Sequence, residues 1–516
     1  MASIYLAHIT VYDPALAGTR TLYLSTAGFT TGTANLPPGG VAHTAYDPRI
    51  SQPANMRRDV FSRGTTGGES DVGYGAMELV NIDGGLDALS DYGLDGQPIS
   101  IIVGDVRRGG VPSWTVVLQG TMEQPSPGWS NVTIRLRDRQ AELSKPASPN
   151  KFAGSNALPA GLEGVVGDLQ GKPKPKVFGR VFNIPTPCVN TSRLIYQVND
   201  GAVTTLDAVY DRGVALAAGA AYASQAEMES TAPAAGQYRV WLAGGYFRLG
   251  STPAGMVTAD VTQGATAAAR TVGQLLKSVA TGPGGISAVD VVDADISALD
   301  TKNSAQVGIW VDGKSCREVL DQLCASIGAW WGFDRLGKFR CGRLEAPAGV
   351  PVIEILPADI ISIDRIASND PGRGVPAYQV VLKYKRIWAT QPTDIAGAVT
   401  DARRAELREE YRTVTATDAA IQTKHRLAVV LEFETLLVAS ADASAEAARR
   451  LALYSADRQM YETKIAYDAS LVASVDIGNV AMLRIDRFGM AGGKLFVVIG
   501  VRSDLKNKLL YLTLWG

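Results

Sequence analysis

The first 143 residues read as mainly β, with stretches in which apolar and polar positions alternate at a period of two, the spacing of half-buried strands. Ile4 to Tyr12 alternates, breaks at Gly18, and resumes from Arg20 to Ser25. Ile99 to Val103 is a short apolar strand. Trp114 to Leu118 and Val132 to Leu136 are expected as the two arms of a hairpin. Val132, Ile134 and Leu136 would face inward and Thr133, Arg135 and Arg137 outward. Gln124 to Gly128, with two prolines and a glycine, supplies the turn between them.

The pattern stops at residues 144–176. Pro146, Pro149, Pro159, Pro173 and Pro175 punctuate a segment without periodicity, expected to be a linker or an arm around a neighbour. Strand character returns between Val177 and Val261, at Leu194 to Val198, Thr205 to Val209 and Tyr238 to Leu242. Ala265 to Ala280 is expected to be a helix, with Ala268, Val272, Leu275, Leu276 and Val279 on one face and Gly282-Pro283 ending it. Ser315 and Glu318 form a capping-box pair. Behind it Cys316, Val319, Leu320, Leu323, Cys324 and Ile327 make one apolar stripe, closed by Gly328. Trp330 to Phe333 and Phe339 to Gly342 form a hairpin around Asp334 to Gly337.

In the last third, Tyr378 to Tyr384 alternates. A charged helix, Asp401 to Arg412, is expected to show Arg403, Glu406, Arg408 and Glu410 to solvent. A strand from Leu427 to Val438 precedes a second helix, Ala443 to Tyr461, with cap candidates Ser440, Asp442 and Ser444. Strands at Thr463 to Tyr467, Val480 to Ile485, Leu495 to Val501 and Leu509 to Trp515 close the chain, with turns at Arg487 to Gly493 and Ser503 to Asn507. Such spacing of short strands means a barrel or sandwich. The fold class expected is therefore mainly β with an α/β middle, a multidomain α+β chain with a small β-barrel at each end. The boundaries expected are 1–143 for the first barrel, 144–176 for the linker, 177–310 for a mixed middle, 311–375 for a helix–hairpin unit, and 376–516 for the second barrel with two inserted helices.

Composition narrows function more by exclusion than by nomination. The 516 residues carry 50 basic and 51 acidic groups, a net charge of −1, which argues against coating nucleic acid or an anionic membrane by bulk charge. Hydrophobic residues make up 46%, enough for several cores and some surface buried between subunits. The start of the chain lacks the basic and apolar regions of a secretory signal, and no apolar run is long enough to anchor in a membrane, so synthesis in a cytoplasm is expected.

The three histidines, His8, His43 and His425, are far apart in sequence. Only His43 has a carboxylate four residues on, Asp47, and nearby prolines argue against a shared helical face. Cys188, Cys316, Cys324 and Cys341 show no CxxC spacing, and the last three are expected to be small core residues without a metal. Gly164 to Lys172 fails as a phosphate loop, because Val166 stands where the first glycine belongs and Pro173 follows the lysine. Gly73-Tyr-Gly75 lacks the third glycine of a dinucleotide loop and is read as a turn or bulge. Asp293-Ala-Asp295 begins like a calcium loop but lacks its glycine and closing glutamate, and a solvated loop is expected. No catalytic, cofactor-binding or metal-ligating residue is nominated, no cofactor is expected, and the chain is expected not to be an enzyme.

A further pattern is carried by Tyr46-Asp-Pro-Arg49, the stretch Tyr74 to Asp87 with Gly75 and Asn81, Asp95-Gly-Gln97, Gly120 and Arg137-Asp138. It resembles the opening barrel of tail-hub proteins, the baseplate-hub or tail-tip proteins of long-tailed bacteriophages. Gly236 to Val240 with Gly244 to Gly255 is similar to that family's middle region, and Val475 to Gly478, Lys494 to Val498 and Leu512 to Gly516 to its end. The resemblance spans most of the chain and contains no catalytic signature. It implies a virion structural protein, a homotrimer whose six barrels meet a sixfold tail tube. Such a hub would cap the tube, anchor tail fibre or central spike proteins and adjoin a distal tail protein. It would let the tape-measure protein and double-stranded DNA pass during ejection and host cell entry, and would be assembled in the host cytoplasm with no membrane anchor. A channel that passes DNA without holding it should be neutral to acidic, with Arg135, Arg137 and Lys172 to Lys176 on outer or inter-subunit faces. Two alternatives stay open: a hexameric distal-tail or fibre-attachment ring, and a glycan-binding or glycan-degrading tail protein, which would need a carboxylate pair in a cleft.

Overall fold

The computed structural model describes residues 3–34, 36–68, 73–105, 113–370, 373–466 and 474–516. Strands β1 (Ser3–Asp13), β2 (Gly18–Ser25), β3 (Ile50–Asp59), β4 (Tyr74–Val80), β5 (Pro98–Asp105), β6 (Ser113–Met122) and β7 (Asn131–Arg137) make up the first third. The middle holds β8 (Lys176–Pro185), β9 (Thr205–Asp211), β10 (Gln237–Trp241), β11 (Tyr246–Leu249), β12 (Val257–Thr262), α1 (Val272–Thr281), α2 (Asp293–Lys302) and β13 (Gly308–Val311). Helix α3 (Cys316–Ile327) runs into the hairpin β14 (Ala329–Phe333) and β15 (Phe339–Arg343). The remainder comprises β16 (Ile353–Ile355), β17 (Ile360–Ile366), β18 (Ala377–Tyr384), α4 (Asp401–Arg408), β19 (Arg412–Thr417), β20 (Val429–Glu434) and α5 (Ser440–Tyr454). It ends with β21 (Met460–Ala466), β22 (Val480–Leu483), β23 (Lys494–Asp504) and β24 (Leu509–Trp515).

The chain is mainly β and multidomain, as its periodicity requires, but its two ends are not separate units. Hydrogen-bonded neighbours run β2-β1-β5-β6-β7-β4-β3-β23-β24-β21-β17, with β22 on β23 and β16 on β22. The join is antiparallel, from Asn55 opposite Asp504 to Asp59 opposite Gly500. One apolar core serves both sides: Ile9, Met77 and Ile134 from the first third lie in it with Leu483, Phe496 and Leu512 from the last. No closed barrel forms among the described residues. Strand β3 instead pairs with 500–504 of β23, on the side that β22 occupies at 494–497, and backbone outside the ladders lies beside β2. Ser25 N donates to Asp47 O (2.8 Å) and Asp47 N to Tyr23 O (3.0 Å), against the outer edge of β2.

Strand β1 shows why the ladder is so well buried. Its odd positions Tyr5, Ala7, Ile9 and Val11 enter the main core. Its even positions Ile4 and Leu6 lie under a second layer with Tyr46, Phe29 and Trp114. The inward set Val132, Ile134 and Leu136 is buried as expected. Strand β7 nevertheless pairs along its whole length with β4, and meets β6 only at Leu136 and Arg137.

A second core gathers α1, α3, the hairpin, β18 and α5. The stripe on α3 is buried throughout, and its capping box closes with Glu318 N donating to Ser315 Oγ (3.2 Å) and Ser315 N to Glu318 Oε2 (2.8 Å). Helix α1 starts later than Ala265, because the Thr271 hydroxyl caps it at Gln274 N; Ala268 is left exposed in a preceding 3-10 turn. Asp293 and Asp295 open α2 and are not in a loop, and Asp295 pairs with Arg340. Helix α4 ends at Arg408, since Arg412 already begins β19 beside β18. Its Glu406 is half-buried between Lys385 and Arg403 and does not belong to a solvated face. The strand expected from Leu427 to Val438 shortens to β20, which runs parallel to β18. Helix α5 starts earlier and stops earlier than expected: Ser440, Asp442 and Ser444 lie inside it and none caps it, while Tyr461 belongs to β21. Tyr467 lies outside the described residues. Ser503 and Asp504 extend β23 and do not turn.

Residues 144–176 carry little regular structure yet are folded against their own chain. Phe152, Leu162 and Leu169 are buried with Val189, Ile195, Tyr222, Met228 and Tyr246.

Candidate interaction surface

His8 is buried in β1 with its Nε2 2.7 Å from the Tyr46 hydroxyl, His43 sits in a loop at φ 56°, and His425 follows a short helical turn. Burial lowers the His8 pKa, so the ring is neutral and serves as packing. Cys316 and Cys324 of α3 and Cys341 of β15 all lie in the second core. Burial raises each thiol, Cys316 to about 11, and protonated thiols are poor nucleophiles and poor metal ligands. No group of three His, Cys, Asp or Glu able to hold a metal occurs among the described residues. Nor is any helix among them long and apolar enough to cross a membrane. The Gly164 to Lys172 stretch forms turns packed on Val189, with Gly164 N donating to Val189 O (3.2 Å).

The residues carrying the tail-hub resemblance are joints between elements. Arg49 binds Asp83 (2.5 Å) and Asp47 (2.9 Å), pinning the turn before β3 to the turn after β4. Asn81 accepts from Leu86 N (2.7 Å) and donates to Asp87 (2.8 Å). Gly75 stands where β3 crosses closely, and a Cβ there would lie 1.9 Å from Asn55 O. Gly245 adopts φ 75°, and a Cβ would lie 2.4 Å from the carbonyls of Asn199 and Gly201. Asp476, in the C-terminal motif, pairs with the buried Arg58 of β3 (2.9 Å), a second tie across the join. Trp515 is buried at the end of β24.

Beside that tie, Asp138 accepts from Gly73 N and Gln140 N, both at 2.8 Å. Burial outweighs these bonds and the nearby Arg58, and pushes the carboxyl up to about 7. A second polar knot locks α5 to α3. Glu446 is buried between Arg449 and Arg450, whose guanidiniums donate to Ile327 O (3.1 Å) and Ala325 O (2.6 Å). Arginines thus satisfy carbonyls left open at the end of α3. Sequence reading missed both knots, because their partners lie far apart along the chain.

What remains for partners is surface. Trp129 is 99% exposed and Ile82 79%, on adjoining loops tied by Asn81 N to Ser130 O (2.8 Å). A polar cleft of about 560 Å³ lies over the outer face of β1, β2, β5 and β6, lined by Thr10, Thr21, Tyr23, Ser100 and Gln119 and overhung by the Leu336 to Lys338 turn. A larger cleft of about 640 Å³ opens between β17 and β20.

No family model matches the chain, and no curated protein matches it. Among solved structures it is similar to a 43 kDa tail protein of prophage MuSo2 from Shewanella oneidensis, with 12% identity, a TM-score of 0.40, and 92% of this chain and 94% of the other covered. It is similar to a tail protein of Neisseria meningitidis MC58, with 10% identity, a TM-score of 0.42 and the same coverage. Prophage tail protein gp18 of Listeria monocytogenes EGD-e shows 8% identity and a TM-score of 0.41, over 100% of this chain and 94% of the other. TM-scores in this range do not establish a shared fold.

Proposed function

We propose that this chain is a structural component of a bacteriophage tail, the hub at the tail tip, and not an enzyme. The observation that carries this reading is the role of the motif residues. Arg49, Gly75, Asn81, Asp138 and Asp476, which carry the resemblance to tail hubs, tie strands and turns together. A sequence signature spent on architecture suits a protein whose task is to hold a shape. The exposed Trp129 and Ile82 suit a chain that buries further apolar surface on assembly.

In this reading the protein is a homotrimer in the virion. It caps the tail tube, meets the distal tail protein, anchors fibre or spike proteins, and surrounds the path of the tape-measure protein and DNA. A closed ring of identical chains buries such surfaces by symmetry. The deciding experiment is the mass of the purified protein with cryo-EM of the assembled tip. Three copies in a ring at the tube's end are expected. Six copies, or absence from the tip, would overturn the hub assignment, and clearing of a cell-wall or polysaccharide substrate in a zymogram would overturn the non-enzymatic one.

A further inference from the structure

The cleft between β17 and β20 lies where two sheets end. It is lined by residues 365–368 on one side and 431–433 on the other. Arg365 and Ile366 are the last residues of β17, Ala367 and Ser368 follow it, and 431–433 lie within β20. Both strands are edges: β17 is bonded only to β21, and β20 only to β18. Among the described residues, no backbone bond leaves the outer side of 361–366 or of 431–433. Neither strand contains proline, and both show apolar side chains outward, with Ile361 53%, Val430 41% and the neighbouring Leu427 81% exposed. Exposed Asp364 and Arg365 on β17 and Glu432 and Glu434 on β20 are interspersed with these apolar positions, and unpaired edges of this kind are templates for another strand.

The lining also has a sign. Arg365, Arg373, Arg450 and Arg458 face Asp370 and Glu432 there. Asp370 is already held by Thr66 N (2.8 Å) and the Thr66 hydroxyl (2.7 Å), and Arg450 by Glu446. Among the described residues Arg365 and Arg373 have no ion partner and are exposed. Below them the floor is apolar and aromatic, with Phe433 stacked on Tyr454 and Arg458 over the Trp515 ring.

The geometry points to a docking site for an extended acidic segment of a partner protein, which adds as a strand to the edge of β17. Its backbone takes up the free N–H and C=O groups. Alternate side chains drop onto the Phe433, Tyr454 and Trp515 floor, and the intervening carboxylates meet Arg365 and Arg373. Backbone pairing supplies affinity in such a mode, and the side-chain pockets and charges supply selectivity.

The test uses the full chain and three fluorescent octapeptides read by anisotropy. The first alternates valine with glutamate, the second valine with lysine, and the third is the first with alternate amides N-methylated along one edge. Saturable binding of the glutamate peptide is expected, with at least tenfold weaker binding of the other two. The exposed double variant Arg365→Glu with Arg373→Glu should bind the glutamate peptide at least tenfold more weakly while keeping the circular dichroism of the parent. No saturable binding, equal binding of the lysine peptide, or indifference to N-methylation would overturn the inference. So would a concentration-dependent self-association of the free chain that the double variant abolishes, since the cleft would then be filled by a second copy.

Discussion

Leu323 sits in the middle of the α3 stripe with no exposed surface, packed in the core that also holds Trp331 and Phe339. Leu323→Ala is expected to cost about 2–5 kcal/mol, read as a lowered denaturation midpoint, because the surrounding helices and hairpin cannot collapse into the gap. Asp138 makes a prediction of the opposite kind, about charge. Its carboxyl titrates near 7 when folded and near 3.8 when unfolded, so between these values the folded chain holds a proton that the unfolded chain has lost. Stability should therefore fall as pH rises from about 4 to about 7, at up to about 1.4 kcal/mol per pH unit, and level off above. In Asp138→Asn that component of the pH dependence should vanish, whatever the variant's absolute stability. Denaturation of both proteins across this range checks it; an unchanged slope would count against a protonated Asp138.

Elements were legible where local chemistry alone decides them. The capping box Ser315 to Glu318, the six-residue apolar stripe and Gly328 all lie within one stretch, and α3 falls where they put it. Ser315→Ala should cost about 1 kcal/mol in thermal or denaturant unfolding, the usual loss for a capping hydroxyl. Strand β4 was invisible because Gly75 and Ala76 interrupt its alternation, although Gly75 is where β3 must pass closest. Gly75→Ala is expected to cost about 1–3 kcal/mol by forcing the two backbones apart, measurable by the same denaturation. Helices α4 and α5 both end short of the sequence expectation, since helical propensity continues past Arg408 and Tyr454 while ladder bonds claim the chain from Arg412 in β19 and Met460 in β21. The cleft between β17 and β20 was illegible for a like reason: an edge is defined by the strand that is missing beside it, which no local pattern records. The scatter of the three histidines and the cysteine spacing are plain in the sequence. The joints between elements are not, because Arg58 and Asp476 meet only through the fold.

At the scale of the whole molecule, the shared ladder and core predict that the first and last thirds unfold together. Native-state hydrogen exchange should give amides of β1, β7 and β24 the same opening free energy; separate, well-spaced values would mean that the two ends are independent. Under the tail-hub function proposed above, the charge distribution carries a further expectation. Arg135 and Arg137 stand opposite Glu123 at 3.8 and 3.9 Å, and Lys174 is bound to Glu163 at 2.6 Å, so these cations have acidic neighbours. The assembly should not retain duplex DNA in gel shifts at about 0.15 M salt, where interactions of exposed charges are screened over about 8 Å. Tight, salt-dependent retention would contradict a free passage.

The antiparallel join between β3 and β23 also sets a timetable for synthesis. Residues 55–59 leave the ribosome about 450 positions ahead of residues 500–504, which at roughly 5–20 residues per second is a wait on the order of 20–90 s. Throughout that interval the nascent chain carries a long strand with one side unsatisfied, in a crowded polysome where sister chains expose the same strand. Slowing elongation late in the message should therefore lower soluble yield more than slowing it early, and a chaperone that shields extended segments should restore it.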